Sequence, residues 1–361
     1  MPPFLGVLLC VAGLFAIPGK IYPQNPTPTP MPAPPIGVYS LGIPNRAASA
    51  KVLSNTNVDG ISIRVGWDNL EIADGIYNWS FLDSEIGKAA AVGKKAIIRV
   101  IDGGSHMPSW VMTGVITTYT FQTSSPWQPA GTFTIPVFWD AYYTSKKKAM
   151  IAAVGARYNS NPTVTAFVVG VANAYDADWY VPHRTIIDSP FTNSEVARWL
   201  AAGYTTQKLI NSATGFIDAA MVAFPNKTVA FSINPNGTLD ANPITACSAV
   251  ASAERTKWGN RLLVSDNGLA ATTPNAPPPI ANNEWNVWYN NRPYTCAQML
   301  WHVYGDTHYY MNGGVAGDPA TILTKAINIG VGYQNRYQEI YQIDVINLPG
   351  VITYAHSVIG H

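Results

Sequence analysis

Charge is scarce in this chain. Asp, Glu, Lys and Arg make up 12% of 361 residues, about half the usual share. The net charge is +1, so the basic footprint that nucleic-acid binding requires is missing. Cysteine is nearly absent too: Cys10 lies in an N-terminal apolar run, and only Cys247 and Cys296 remain beyond it. In an exported chain these two could pair, or stay as buried thiols, and both readings stand. No Cys/His cluster has zinc spacing, and His106, His183, His302 and His308 are scattered, so no metal is expected. No glycine-rich phosphate loop follows any strand candidate. That argues against nucleotide folds and implies no cofactor.

Aromatic residues are what the chain has instead, at 11%, with 11 Trp and 19 Tyr. A chain poor in charge and rich in Trp, Tyr and Asn suits neutral hydroxylated ligands, because sugars stack on aromatic faces and hydrogen-bond to amides. Many of these rings also belong to the core, as large aromatics usually do.

The chain divides into three segments. Residues 1–17 hold the apolar run Phe4–Ile17, of signal-peptide length and too short to span a bilayer. No Lys or Arg precedes it, which suggests a start further upstream. Residues 18–35 carry eight prolines, an extended spacer that would hold a domain away from a membrane or wall. Residues 36–361 are globular in composition. The expected location is secreted or at the cell surface, with a possible membrane or cell-wall tether through the N-terminal segment.

Within 36–361, β-branched runs alternate with helical periodicity. Strands are expected at Val38–Leu41, Gly60–Gly66, Lys95–Val100, Val164–Val171, Val229–Ile233, Leu262–Ser265, Thr307–Met311 and Tyr337–Tyr341. Helices are expected between them, including Trp139–Tyr158, whose Lys146–Lys148 reads as a solvated face, and one near Tyr294–Tyr304. Thr113–Pro136 reads as a long loop. The pattern predicts an α/β fold, a single (β/α)8 barrel with chemistry at the carboxyl ends of its strands.

The stretch Arg64-Val-Gly-Trp67, then Glu71, Gly75, Tyr77, Trp79 and Leu82-Asp83, resembles the second βα unit of clan-A glycoside hydrolases, the group of β-galactosidases and cellulases. The Gly103–Gly104 strand end and the Met107-Pro-Ser-Trp110 corner resemble its β-galactosidase-like members. The resemblance covers about fifty residues. It implies that Arg64 orients a catalytic carboxylate and that Trp67, Asp102, His106 and Trp110 line a sugar cleft. Asn173, Tyr175, Trp179, Asn267, His308, Tyr310, Asn312 and Tyr341 join them as substrate-binding candidates at strand ends and the loops that follow.

Glycoside cleavage needs two carboxyl groups, one to protonate the leaving oxygen and one to attack or to activate water. The family places one Glu directly after Asn at the end of strand four and the other at the end of strand seven. Here Asn173 is followed by Ala174, and the expected strand seven holds no Glu. Glu339 is the leading catalytic candidate, because a Glu in an apolar strand must meet a cation, a donor network or a pocket. Structural pairing with Arg64 or Arg336 is the competing explanation. Asp178 and Asp176 are the partner candidates. Separations of roughly 5–5.5 Å support retention and roughly 6.5–9.5 Å inversion, the shorter Asp favouring the wider gap. The expected function is therefore a secreted glycosidase, with a non-catalytic carbohydrate-binding barrel as the alternative. A third reading, a structural surface protein, is disfavoured if Trp67, Trp110 and Trp179 line one exposed groove.

Overall fold

Eight short β-rich segments pair in parallel and close on themselves. The computed structural model describes residues 33–123, 130–175, 178–187, 189–233, 239, 244–279 and 283–360. The barrel strands are β1 (Gly37–Leu41), β2 (Gly60–Gly66), β3 (Lys95–Ile101), β4 (Val164–Val169), β5 (Thr228–Ile233), β6 (Leu262–Leu269), β7 (Thr295–Met299) and β8 (Asn335–Tyr341). β1 closes the ring by pairing with β8, Tyr39 opposite Glu339. The helices that follow them are α1 (Ala50–Leu53), α2 (Ser80–Ala91), α3 (Ala141–Tyr158), α4 (Thr206–Ala223), α5 (Thr245–Trp258), α6 (Glu284–Asn290), α7 (Pro319–Gly332) and α8 (Pro349–Val358). This is the expected (β/α)8 barrel. The apolar run Phe4–Ile17 and the proline-rich segment up to residue 32 lie outside the described residues.

Side chains alternate across each strand, so every second residue enters the barrel. The lower layers are apolar: Tyr39, Ile97, Ala166, Val168, Ala230, Leu263, Cys296 and Tyr337 form one buried cluster. The outward-facing residues pack under the helices in a second, larger cluster, with Ile98, Phe167, Val229 and Val264 among them. One step above the apolar layers, the same strands place Ser62, Arg99, Ser232, Gln298 and Glu339. The interior thus turns polar toward the carboxyl ends, where a parallel barrel carries its chemistry.

Four local expectations are corrected. The expected helix near Tyr294–Tyr304 is instead β7, and Thr307–Met311 is loop with a single 3-10 turn at Tyr310–Asn312. Thr295-Cys-Ala-Gln-Met299 carries little β-branching, so its strand state comes from the β6 and β8 ladders on either side. The long loop Thr113–Pro136 contains an antiparallel hairpin, Thr118–Thr123 with Gly131–Pro136. The lysine run on α3 is not wholly solvated: Lys147 is 2% exposed. Pro349 stands in the first turn of α8, where proline lacks only an N–H that would be unpaired.

Candidate active site

β3 delivers the group around which the site is built. Arg99 stands between Ile97 and Ile101 on the inward face, fully desolvated. Its Nη1 lies 2.5 Å from Asp178 Oδ2 and its Nη2 lies 2.7 Å from Glu339 Oε2. The same Nη1 donates to Gln298 Oε1 at 2.6 Å. Ser62 Oγ donates to the other Glu339 oxygen at 2.6 Å, and Ser232 Oγ to Asp178 Oδ2 at 2.8 Å. One guanidinium therefore bridges the two carboxylates proposed from sequence. That shared contact brings their oxygens well inside the roughly 9.5 Å limit of an inverting pair.

Burial sets the electrostatics. Desolvation pushes the Glu339 carboxyl up, against the opposing pull of Arg99 and the Ser62 hydroxyl, and the Asp178 charge pushes the same way as burial. Burial alone would lower Arg99, but the charges of Asp178 and Glu339 hold it above its ordinary value. The network keeps a cation in the barrel at any working pH. Its charge faces the Glu339 carboxyl, whose ionised form burial disfavours.

Arg64 does not take the role expected for it. Its Nε donates to the Gly42 carbonyl at 2.6 Å, and its guanidinium lies 5.6 Å from the Tyr341 ring centroid. It biases Glu339 only through space. The cation on Glu339 is Arg99, rather than Arg64 or Arg336. Arg336 donates to the Pro293 carbonyl.

The other sequence candidates separate into groups. Trp67 is 0% exposed. Its Nε1 donates to Glu71 Oε2 at 2.7 Å, while Glu71 Oε1 accepts Gly75 N–H at 2.8 Å and the Glu71 carbonyl accepts Trp110 Nε1 at 3.0 Å. The spacing Trp67, Glu71, Gly75 is thus a clamp that folds the βα2 loop. Gly75 sits at φ +73° with open space beside it. Trp179 is also fully buried, so the groove of three exposed tryptophans that would count against a structural surface role does not form. Trp110 is half-buried and packs edge-on to Trp67 at 6.1 Å. His106 Nδ1 lies 3.2 Å from Asp68 Oδ1.

Asp102 leaves the cleft for the β3–α3 interface. Its Oδ2 lies 2.5 Å from Lys147 Nζ and accepts Tyr143 OH at 2.8 Å; Oδ1 accepts Asn173 Nδ2 at 3.3 Å. Asn173 Oδ1 is buried and finds no hydrogen-bond donor among the described residues. Tyr175 packs edge-on to Tyr180 at 4.4 Å and to Phe121 at 5.1 Å. Asn267 and Tyr341 are buried at the ends of β6 and β8. His308, Tyr310 and Asn312 lie on the loop after β7. Asp176 lies outside the described residues.

Three residues central to this arrangement escaped the sequence reading: Arg99, Lys147 and Gln298. Arg99 carried the same signal as Arg64, a guanidinium inside an apolar strand, in phase with Ile97 and Ile101. Gln298 was hidden by the misplaced strand seven. With β7 fixed, the inward residue at its end is Gln298, and the residue after Asn173 is Ala174. Neither position to which the family pattern assigns a Glu holds a carboxyl group. Cys247 and Cys296 are both buried, and burial pushes the Cys296 thiol up to about 12.

Comparison with known proteins agrees with this architecture. Residues 46–217 match the glycoside hydrolase family 42 model, described as β-galactosidase. No curated protein sequence matches the chain. Among solved structures, the catalytic domain of β-amylase from Paenibacillus polymyxa is similar with a TM-score of 0.55 and 10% identity, covering 90% of this chain and 99% of that one. A psychrophilic family 10 endo-β-1,4-xylanase aligns at a TM-score of 0.47 and 10% identity, over 85% of this chain and 86% of that one. The family match and the closed barrel bear out the resemblance to clan-A glycoside hydrolases, and the chain diverges from that clan at both catalytic positions.

Proposed function

We propose that this glycoside hydrolase-type barrel is a secreted glycosidase that cleaves O-glycosidic bonds of an oligo- or polysaccharide, with Glu339 and Asp178 as its two carboxyl groups. The carrying observation is the shared guanidinium: Arg99 holds both side chains at the carboxyl end of the barrel interior. Burial raises the Glu339 carboxyl, which suits a proton donor. In this reading Glu339 gives its proton to the leaving oxygen. Asp178 attacks the anomeric carbon or takes the proton of an attacking water. Asp176, two residues earlier on the same segment, is the reserve for Asp178. Asn173 Oδ1, buried and unpartnered, is available to accept a sugar hydroxyl. The apolar run Phe4–Ile17 and the prolines that follow support export, with the spacer as a tether at the cell surface.

A second reading has its own support. Ala174 and Gln298 stand where the family pattern has glutamates, and Asp178 and Glu339 are each about 1% exposed and both paired with Arg99. A barrel that binds sugar without cleaving it fits those facts. Screening aryl glycosides and polysaccharides with wild type, Glu339→Gln and Asp178→Asn separates the two. Each substitution is expected to cut turnover by about 10²–10⁴-fold, with circular dichroism and polysaccharide binding retained. Binding without turnover in the wild type, unchanged by Glu339→Gln, would decide for the non-catalytic barrel.

A further inference from the structure

The chain from Leu300 to Asp318, joining β7 to α7, is built more firmly than a simple connection requires. Asp344 accepts Tyr304 N–H at 2.8 Å and Val303 N–H at 3.0 Å. Asp306 accepts His308 N–H at 2.9 Å and Tyr310 N–H at 2.8 Å, and Asn312 Nδ2 donates to the Val315 carbonyl at 2.9 Å. Tyr309 adopts φ 55°, a left-handed backbone that bulky side chains avoid and that persists where surrounding structure imposes it.

These bonds frame a cavity of about 270 Å³ lined by Asp306, Tyr309, Met311, Asn312, Pro319 and Ile322, with Val303, Gly305 and Gly317 completing it. That is just below the ~300–1,000 Å³ of drug-sized sites, room for one ring rather than a chain. Beside it His308, 69% exposed, stacks on Tyr310 at 5.2 Å and 17°. The cavity is joined to the barrel mouth by contact. Tyr341, under Arg64, packs against Trp301 at 5.4 Å, and Trp301 N–H points at Met311 Sδ, 3.4 Å away, in the cavity wall.

We propose that this loop is a second sugar subsite, holding one ring of a neutral oligosaccharide whose remaining rings extend toward the barrel mouth. The inference rests on the carbohydrate reading above. The chemistry selects that ligand. No Lys or Arg lines the cavity and Asp306 repels anions, while aromatic faces beside carboxylate and amide acceptors match the alternating apolar faces and hydroxyls of a pyranose. Contact with Trp301 and Tyr341 gives the direction in which the chain continues.

The test measures binding by calorimetry of cellohexaose, xylohexaose and β-1,4-galactohexaose, with the corresponding disaccharides, to wild type and to the double variant His308→Ala/Tyr310→Ala. Wild type is expected to bind at least one hexaose more tightly than its disaccharide. The double variant should lose about tenfold of that advantage, the scale of one lost aromatic face. Equal hexaose affinity in both proteins, or no binding of any probe to wild type, overturns the subsite. Hexaose binding that depends on His308 and Tyr310 in a protein that hydrolyses nothing upholds the subsite and defeats the catalytic reading. Hydrolysis with length-independent binding does the reverse.

Discussion

Arg99 Nη2 lies 2.7 Å from Glu339 Oε2 across the barrel interior. The pair joins β3 to β8, and through Nη1 the same guanidinium reaches Asp178 in the segment after β4. Desolvating three ionisable groups is costly, and only their mutual geometry offsets it. Removing the cation leaves two carboxyl groups in a dry interior with serine hydroxyls as their remaining donors. Arg99→Met is therefore expected to lower stability by about 3–5 kcal/mol, read by urea unfolding at neutral pH. The same variant should recover part of that loss in acid, where the Glu339 carboxyl, already pushed up by burial, takes up a proton. A loss under about 1 kcal/mol would be the size of an exposed pair and would mean that water reaches the carboxylates.

Much of the barrel was legible because its strands carry their own signal. Val164–Val169 and Thr228–Ile233 are β-branched runs between polar turns, and a βαβ alternation constrains the rest. β7 was not legible, because Cys296, Ala297 and Gln298 have no strand preference of their own and owe their state to neighbours. The site was legible in half. Asp178 and Glu339 stand out as carboxylates without a quiet explanation, and the structure brings them to one cation. Trp67 and Asp102 look like cleft residues because sequence spacing cannot show which way a side chain faces. Trp67 is committed to Glu71, and Asp102 to a lysine on a helix forty residues on.

That second buried ion pair can be tested independently of sugar. Lys147 Nζ and Asp102 Oδ2 are 2.5 Å apart, with side chains 2% and 1% exposed, and Tyr143 OH donates to the same oxygen. Lys147→Met strands a carboxylate beneath α3 and should cost about 3–5 kcal/mol. Pairing it with Asp102→Leu removes the stranded charge as well. The double variant is expected to be more stable than Lys147→Met alone, a coupling visible in a double-mutant cycle by chemical denaturation. Strictly additive losses would show that the two side chains do not depend on each other.

The final prediction concerns pH and a carboxyl group outside the Arg99 network. Asp266, in the carboxyl-terminal half of β6, is buried. Its Oδ1 accepts Gly268 N–H at 2.8 Å, while Oδ2 finds no donor among the described residues. Burial raises its carboxyl from 3.8 to about 7; the Gly268 donor opposes the rise and the charge of Glu284 adds to it. A carboxyl whose folded pKa lies above its unfolded one binds its proton more tightly in the folded state. Its contribution is therefore present in full below about pH 4 and is lost progressively as pH rises toward 7. Asp266→Asn has no proton to lose. Relative to wild type, its melting temperature should climb between pH 4 and pH 7 and level off above that, as followed by calorimetry at four pH values. Parallel curves would mean that Asp266 ionises in the folded barrel as readily as in the unfolded chain, with a donor supplied to Oδ2. A gap that narrowed with rising pH would reverse the sign and place a cation beside it.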